Sequence, residues 1–208
     1  MPRQPWSQSK FAGVFDAADR ARDYVSKHAG WARQAGRVFV GRLHALGASP
    51  RRLLDVGSGS GDMAVVLAEA FPQAEIVGLD LSAHMIALAR ERVADAELAS
   101  RISFVEGNAT KMPFDDRAFD AVVSQDTLHL LDDPLPMLSE CERVLDAQGT
   151  LVLRSVRRSW LGRLDPIFTT GYTAGELAGL AQRAGLRDVR VAGSLMYLML
   201  ETGGKAQD

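Results

Sequence analysis

The chain holds a single cysteine, Cys141, in 208 residues, so no internal disulfide can form and a reducing, cytoplasmic setting is expected. Histidine is nearly as scarce. His28, His44, His84 and His129 lack the paired spacing of a metal site, and no metal is expected. No apolar run reaches the roughly 20 residues that a bilayer-spanning helix needs, and the segment MPRQPWSQSK at the start lacks the apolar stretch of a signal peptide. No membrane partner is therefore expected. Internal repeats and low-complexity tracts are absent too, whereas 47% of the residues are hydrophobic, enough for one domain over 1–208 with a substantial core.

Charge is present but unevenly spread. Met1 to Arg52 carries 10 Lys and Arg against 3 Asp and Glu, while Leu53 to Asp208 carries 14 against 23. A basic leading segment can attract an anionic substrate or nucleic acid, or can lie against its own acidic body. No nucleic-acid motif accompanies it, and no nucleic-acid partner is expected.

From Leu53 onward short apolar runs alternate with segments of helical period, the pattern of βαβ units in an α/β fold with a parallel sheet. Strands are predicted at Arg52–Val56, Glu75–Asp80, Ile102–Glu106, Phe119–Ser124, Thr150–Arg154, Arg187–Val191 and Leu195–Leu200. Helices are predicted at Met63–Phe71, Ala83–Ala94 and Pro134–Val144, with Ser82 and Asp133 as caps and Pro134 in a first turn. Thr173 and Glu176 have capping-box spacing for a last helix, which Gly185 ends. Residues 1–50 read as a helical cap segment with helices at Ala17–His28 and Trp31–Leu46, broken near Gly30. Residues 51–154 form the core, 155–172 a connection of the length used for lids or for plain surface loops, and 173–201 the closing helix and strands.

The densest chemistry lies in Leu53-Leu54-Asp55-Val56-Gly57-Ser58-Gly59-Ser60-Gly61-Asp62, a buried strand running into a glycine-rich turn and a helix. Glycine permits positive φ and close approach of a ligand, and the helix start offers unpaired N–H groups. A purely structural tight turn would need the same glycines. Asp80, ending the second strand about 20 residues later, is spaced to reach ribose hydroxyls, although it could also simply end the strand. The dinucleotide fingerprint G-x-G-x-x-G is not met, because Asp62 stands where its third glycine would be. A pyrophosphate would meet a carboxylate there.

In these residues the chain resembles the class I S-adenosylmethionine-dependent methyltransferases of small-molecule type, with their D-x-G-x-G-x-G motif at Asp55–Gly61. The resemblance continues through Asp80, Gly107-Asn108-Ala109-Thr110-Lys111-Met112-Pro113-Phe114, Phe119-Asp120-Ala121-Val122-Val123, Leu128-His129, Glu140 with Arg143-Val144-Leu145, and Asp146-Ala147-Gln148-Gly149. It implies a Rossmann-like, doubly wound, mostly parallel seven-stranded sheet with helices on both faces and an N-terminal helical segment. It also implies S-adenosyl-L-methionine as cofactor. The glycine turn (Asp55, Gly57, Gly59, Gly61) would face its methionine part, Asp80 would hold its ribose and Asn108 with Ala109 its adenine amino group, with Ser58 and Leu81 as further cofactor-binding residues. The family commonly has Asp where this chain has Asn108, so the charge-assisted part of that hydrogen bond is missing. Met112, Pro113 and Phe114 either flank the adenine or fold onto the core. Glu140 and Arg143 read as a helix-end pair, and Cys141 as a small buried residue.

Methyl transfer from a sulfonium requires mainly that a nucleophile be held in line, and the acceptor atom is left open. The acceptor pocket is expected at the carboxyl ends of the strands, with Gln125 nearest the methionine end of the cofactor. His129 is the candidate general base, with an ionisation near 6 to 7; packing between Leu128 and Leu130 is the alternative. Arg154, Arg157, Arg158 and Arg163, near Trp160 and Tyr172, either bind an anionic group or are solvated surface charge. The short connection after the fifth strand favours a small-molecule acceptor. A nicotinamide-dependent oxidoreductase and a catalytically silent binding module of the same fold are the competing readings.

Overall fold

The computed structural model describes residues 2–5, 7, 15, 17–94 and 98–203. Along them run α1 (Ala18–Ala45), β1 (Arg52–Val56), α2 (Asp62–Ala70), β2 (Glu75–Asp80), α3 (Ala83–Ala94), β3 (Ile102–Glu106) and β4 (Phe119–Gln125). Then come α4 (Leu135–Val144), β5 (Leu145–Val156), α5 (Ile167–Thr170), α6 (Ala174–Arg183), β6 (Arg190–Gly193) and β7 (Tyr197–Thr202). Single 3-10 turns stand at Leu128–Leu130 and Trp160–Arg163.

The seven strands form one sheet in the order β3-β2-β1-β4-β5-β7-β6. β1 to β5 pair in parallel, and β7 runs antiparallel to β5 and β6. Side chains of a strand alternate between faces, so the adjacent Leu53 and Leu54 enter different cores. Leu53, with Ile76, Ala121, Val123 and Val152, packs against Phe39 and Leu43 of α1 and against α2 and α3. Leu54, with Val56, Val122, Leu151 and Leu153, packs against Met137, Leu138 and Cys141 of α4 and Leu177 and Ala181 of α6. Burial on both faces explains why the central strands read as continuous apolar runs. Strand order reverses between β1 and β4, and the crevice at their carboxyl ends is where such sheets bind ligands.

The predicted caps form. Ser82 Oγ accepts from Met85 N at 3.4 Å, Asp133 Oδ1 from Leu135 N at 3.1 Å, and Thr173 closes a full capping box with Glu176. Gly185 takes φ +91° after α6.

Three expectations are corrected. α1 is one continuous helix of 28 residues through Gly30, because contacts hold it on both sides of that residue, and one exposed glycine costs only about 1 kcal/mol. The Asp146–Gly149 turn lies inside β5 as an irregularity: pairing jumps from Phe119 with Leu145 to Ala121 with Thr150, and Asp146 Oδ1 accepts from Gln148 N at 3.0 Å. β6 and β7 start later than predicted, because Ser194 makes the hairpin turn, its Oγ accepting from Met196 N and Tyr197 N, both at 3.2 Å.

Candidate active site

The glycine turn is shaped from two sides. Gly57, Gly59 and Gly61 take φ of +75°, +53° and +75°. A Cβ on Gly57 would lie 1.9 Å from Thr127 Oγ1 in the loop after β4, so only glycine lets the two strand ends close up. On the other side, Gly57 N and Ser58 N both donate to Leu79 O, at 2.7 and 3.0 Å, and Gly59 N donates to Asp80 Oδ2 at 2.8 Å.

Asp80 thus ties the end of β2 to the turn, its second oxygen accepting from Ser82 N at 2.9 Å. Burial raises its pKa, and the N–H groups of Ser82, Gly59 and Leu81 pull it back. Each carboxylate oxygen retains accepting capacity. Asp55, at the end of β1, is fully buried and neither of its oxygens has a hydrogen-bond partner. Burial first, and the charge of Asp80 second, push it up to about 8. Ser58 Oγ and Gln125 Oε1 are likewise buried without partners. Buried polar atoms are almost always paired, so this cluster at the ends of β1 and β4 is suited to a cationic, hydrogen-bonding ligand. The ammonium and sulfonium of S-adenosylmethionine have that chemistry, and the residues fit it.

After β3, Gly107 N donates to Asp80 O at 2.9 Å, bringing the start of the loop that carries Asn108 and Ala109 to the end of β2. Asn108 Oδ1 accepts from Thr110 N and Thr110 Oγ1, both at 2.8 Å, so its amide oxygen already serves its own loop. Leu81 stands beside Asp80 with 70% of its surface exposed, an apolar face open to a ring. Met112 is buried in the core and Phe114 packs edge-on to Phe119 at 5.1 Å, which favours the core reading of that segment. Glu140 and Arg143 hold it there: Glu140 Oε2 accepts from Met112 N at 2.6 Å, and Arg143 donates to Phe114 O at 2.8 Å and Met112 O at 3.2 Å. Cys141 is buried, its thiol pushed up to about 12.

Around Arg154 stand residues that the sequence did not single out. Asp126, next to Gln125, takes φ +54° and is ion-paired with Arg154 at the end of β5. The Arg154 guanidinium lies 4.4 Å from the Trp31 ring centroid and 4.7 Å from that of Tyr197. Tyr24 of α1 closes the group, its pKa raised by burial first and by Asp126 second. Arg154 is therefore a buried structural charge rather than surface charge. His129 is also buried, and burial, then Arg3 and Arg154, push its pKa down to about 3, not the 6 to 7 expected. An imidazole so hard to protonate is a weak base at neutral pH.

Described residues of the leading segment meet loops at this end of the sheet. Arg3 donates to Thr170 O and Asp132 O, both at 3.0 Å, and its guanidinium sits 4.7 Å from the Tyr172 ring centroid. Ser82 Oγ donates to Phe15 O at 2.9 Å. Arg22, Arg33 and Arg42 pair with Glu91, Glu69 and Glu201, so the basic segment does lie against the acidic body. Asp62 differs from expectation: it faces Arg92 of α3 at 3.0 Å and accepts from Ser60 Oγ at 2.7 Å. Its charge is already neutralised, so it would repel a pyrophosphate less than the sequence implies. Among the described residues no group of His, Cys, Asp and Glu could hold a metal ion.

Residues 54–153, from β1 through most of β5, match the family described as "Methyltransferase domain". Over this stretch the chain is similar to a methyltransferase domain. A demethylmenaquinone methyltransferase of Deinococcus radiodurans is 42% identical over 124 residues, 60% of this chain and 48% of that protein. The chain spans about half the length of the curated relatives it matches. A putative S-adenosyl-L-methionine-dependent methyltransferase from Methanococcus maripaludis has the same fold, with TM-score 0.74 and 19% identity over 92% of this chain and 94% of its own. So does the [4+2]-cyclase SpnF, with TM-score 0.65 and 22% identity over 74% of this chain and 75% of its own. Solved structures that share this fold are titled S-adenosylmethionine-dependent methyltransferases, among them one from Aquifex aeolicus with TM-score 0.65 and 23% identity over 73% of this chain and 81% of its own.

Proposed function

We propose that this protein transfers the methyl group of S-adenosyl-L-methionine to a small-molecule acceptor by in-line displacement. The carrying observation is the pair of carboxylates, the buried Asp55 and the half-buried Asp80, at adjacent strand ends around the glycine turn, one without partners and one with capacity to spare. In this reading Asp55, Gly57, Ser58, Gly59, Gly61 and Gln125 hold the methionine part of the cofactor. Asp80 and Leu81 hold the ribose, with Asn108 and Ala109 beside the adenine. Bound there, the cofactor supplies a methyl group already activated by its sulfonium.

What remains for the chain is to orient a nucleophile and exclude water, and orientation alone can contribute about 7–11 kcal/mol. Trp31, Tyr24, Tyr197 and the Asp126–Arg154 pair wall the side where an acceptor would enter. His129 is buried and its pKa is lowered to about 3, and in this reading it is not needed as a base. A small acceptor accords with relatives named for a quinone substrate and with the short connection from β5 to α6. The single cysteine accords with a cytoplasmic setting, and among the described residues no helix is long and apolar enough to cross a membrane. The nicotinamide-dependent alternative gains no support, since the curated relatives are methyltransferases. The cyclase of the same fold is why turnover itself has to be measured.

Incubating the protein with methyl-labelled cofactor and fractionated metabolite extracts tests the reading. Label should enter a small, extractable product with wild type and not with Asp80→Ala. Label found only in macromolecules, or equally with the variant, contradicts it.

A further inference from the structure

Four large apolar side chains stand exposed on two neighbouring loops. Trp160 (60% exposed) and Leu164 (75%) lie between β5 and α5, and Leu195 (49%) and Met196 (44%) lie at the tip of the β6–β7 hairpin. Arg157 joins the loops: its N donates to Met196 O and its guanidinium to Ser194 O, both at 2.8 Å. Both loops sit where β5 ends and antiparallel β7 begins, at the same end of the sheet as the crevice between β1 and β4.

Beside these side chains is a cavity of about 450 Å³ lined by Arg158, Ser159, Trp160, Arg163 and Thr173. Its donors are only partly used. Arg158 is ion-paired with Glu176, but Arg163 is exposed and has no ion pair among the described residues. Ser159 Oγ is buried and has no hydrogen-bond partner. The nearby Asp165 carboxylate is engaged in accepting from Ile167 N at 3.1 Å. An unused guanidinium and an orphaned hydroxyl in one cavity are complementary to a phosphate.

We propose that this patch docks the protein on an anionic phospholipid surface. A lipid phosphate sits against Arg163 and Ser159, and Trp160, Leu164, Leu195 and Met196 enter the interfacial layer. A free phosphate would use the cavity but would leave four apolar side chains in water; a lipid surface satisfies both at once. Tryptophan favours the headgroup region, and each basic residue near an anionic leaflet adds to the attraction. No spanning helix is needed for such peripheral binding. Docking here would set the crevice opening beside the bilayer, where acceptors dissolved in lipid are concentrated. The proposal extends the methyl-transfer reading, but the binding itself stands or falls independently of it.

Co-sedimentation of the full chain tests it, using vesicles of phosphatidylcholine alone and vesicles with an equal part of phosphatidylglycerol, alongside titration with soluble glycerol phosphate. The protein should partition to the anionic vesicles, and added salt should weaken this. Arg163→Glu and Trp160→Ala should each lower partitioning about tenfold or more, with S-adenosylmethionine affinity unchanged as the check that both variants fold. Equal partitioning to both vesicle types, none to either, or wild-type partitioning by a folded variant overturns the proposal. So does saturation by glycerol phosphate without vesicle binding, which assigns the cavity to a soluble phosphate. A lipid-free dimer that Trp160→Ala dissociates gives the patch to a second copy and overturns it equally.

Discussion

Asp55 carries the sharpest residue-scale consequence of this site. In the fold its carboxyl is raised to about 8, whereas its ordinary value is 3.8, so between those values the folded chain keeps a proton that the unfolded chain has lost. Stability therefore falls as pH rises toward 8, by at most about 1.4 kcal/mol per pH unit for each such carboxyl. Asp80 and Asp126, also raised by burial, act in the same direction. His129 opposes them only below its ordinary value of 6.5, because its lowered pKa makes stability rise with pH up to that point and no further. The interval from 6.5 to about 8 is thus governed by the carboxyls. Thermal melts of ligand-free protein should show Tm falling across it, and Asp55→Asn should flatten the slope. A wild-type Tm unchanged over that interval would contradict the assignment. Asp80 was legible in the sequence because its spacing from the glycine turn is local information. The pairing of Asp126 with Arg154 was not, since they lie 28 residues apart and it depends on a positive φ that no side-chain pattern announces.

At the scale of elements, α1 is where local propensity and tertiary structure disagree. Gly30 suggests a break, yet the helix is pinned beyond it at two places: Arg42 pairs with Glu201 near the end of β7, and Trp31 stands 6.1 Å from Tyr197 at its start. Eleven helical residues cover about 16 Å and four strand residues about 13 Å, so a continuous helix spans the two anchor points without a kink. Gly30 is exposed, and a Cβ placed on it would meet nothing within 4 Å. Gly30→Ala should accordingly stabilise the protein by about 0.5–1 kcal/mol, raising Tm by about 1–4 °C in differential scanning calorimetry. A lower Tm would indicate that the helix needs a break there. The parallel strands and capped helices were legible because burial on both faces and cap chemistry leave strong local marks. The starts of β6 and β7 were not, because Ser194, an ordinary polar residue, makes the turn that sets their register.

Over the whole molecule, the uneven charge resolves into packing. The basic leading segment meets acidic side chains and carbonyls of the body, and it brings Arg3, Phe15, Tyr24 and Trp31 over the crevice. Sequence could give the sign of that attraction but not its destination, which depends on which loops the sheet order gathers at one end. That gathering places the Asp55 and Asp80 carboxylates, the glycine turn and the loops after β3 and β4 together, and cofactor binding rests on it. Calorimetric titration of wild type and Asp80→Ala with S-adenosylmethionine, S-adenosylhomocysteine and NADH tests it most directly. Both sulfur nucleosides should bind the wild type and NADH should not, and the variant, still folded by circular dichroism, should lose about 2–4 kcal/mol, or about 30- to 1,000-fold in affinity. NADH binding tighter than the sulfur nucleosides, or a loss of less than about threefold in the variant, would contradict the account.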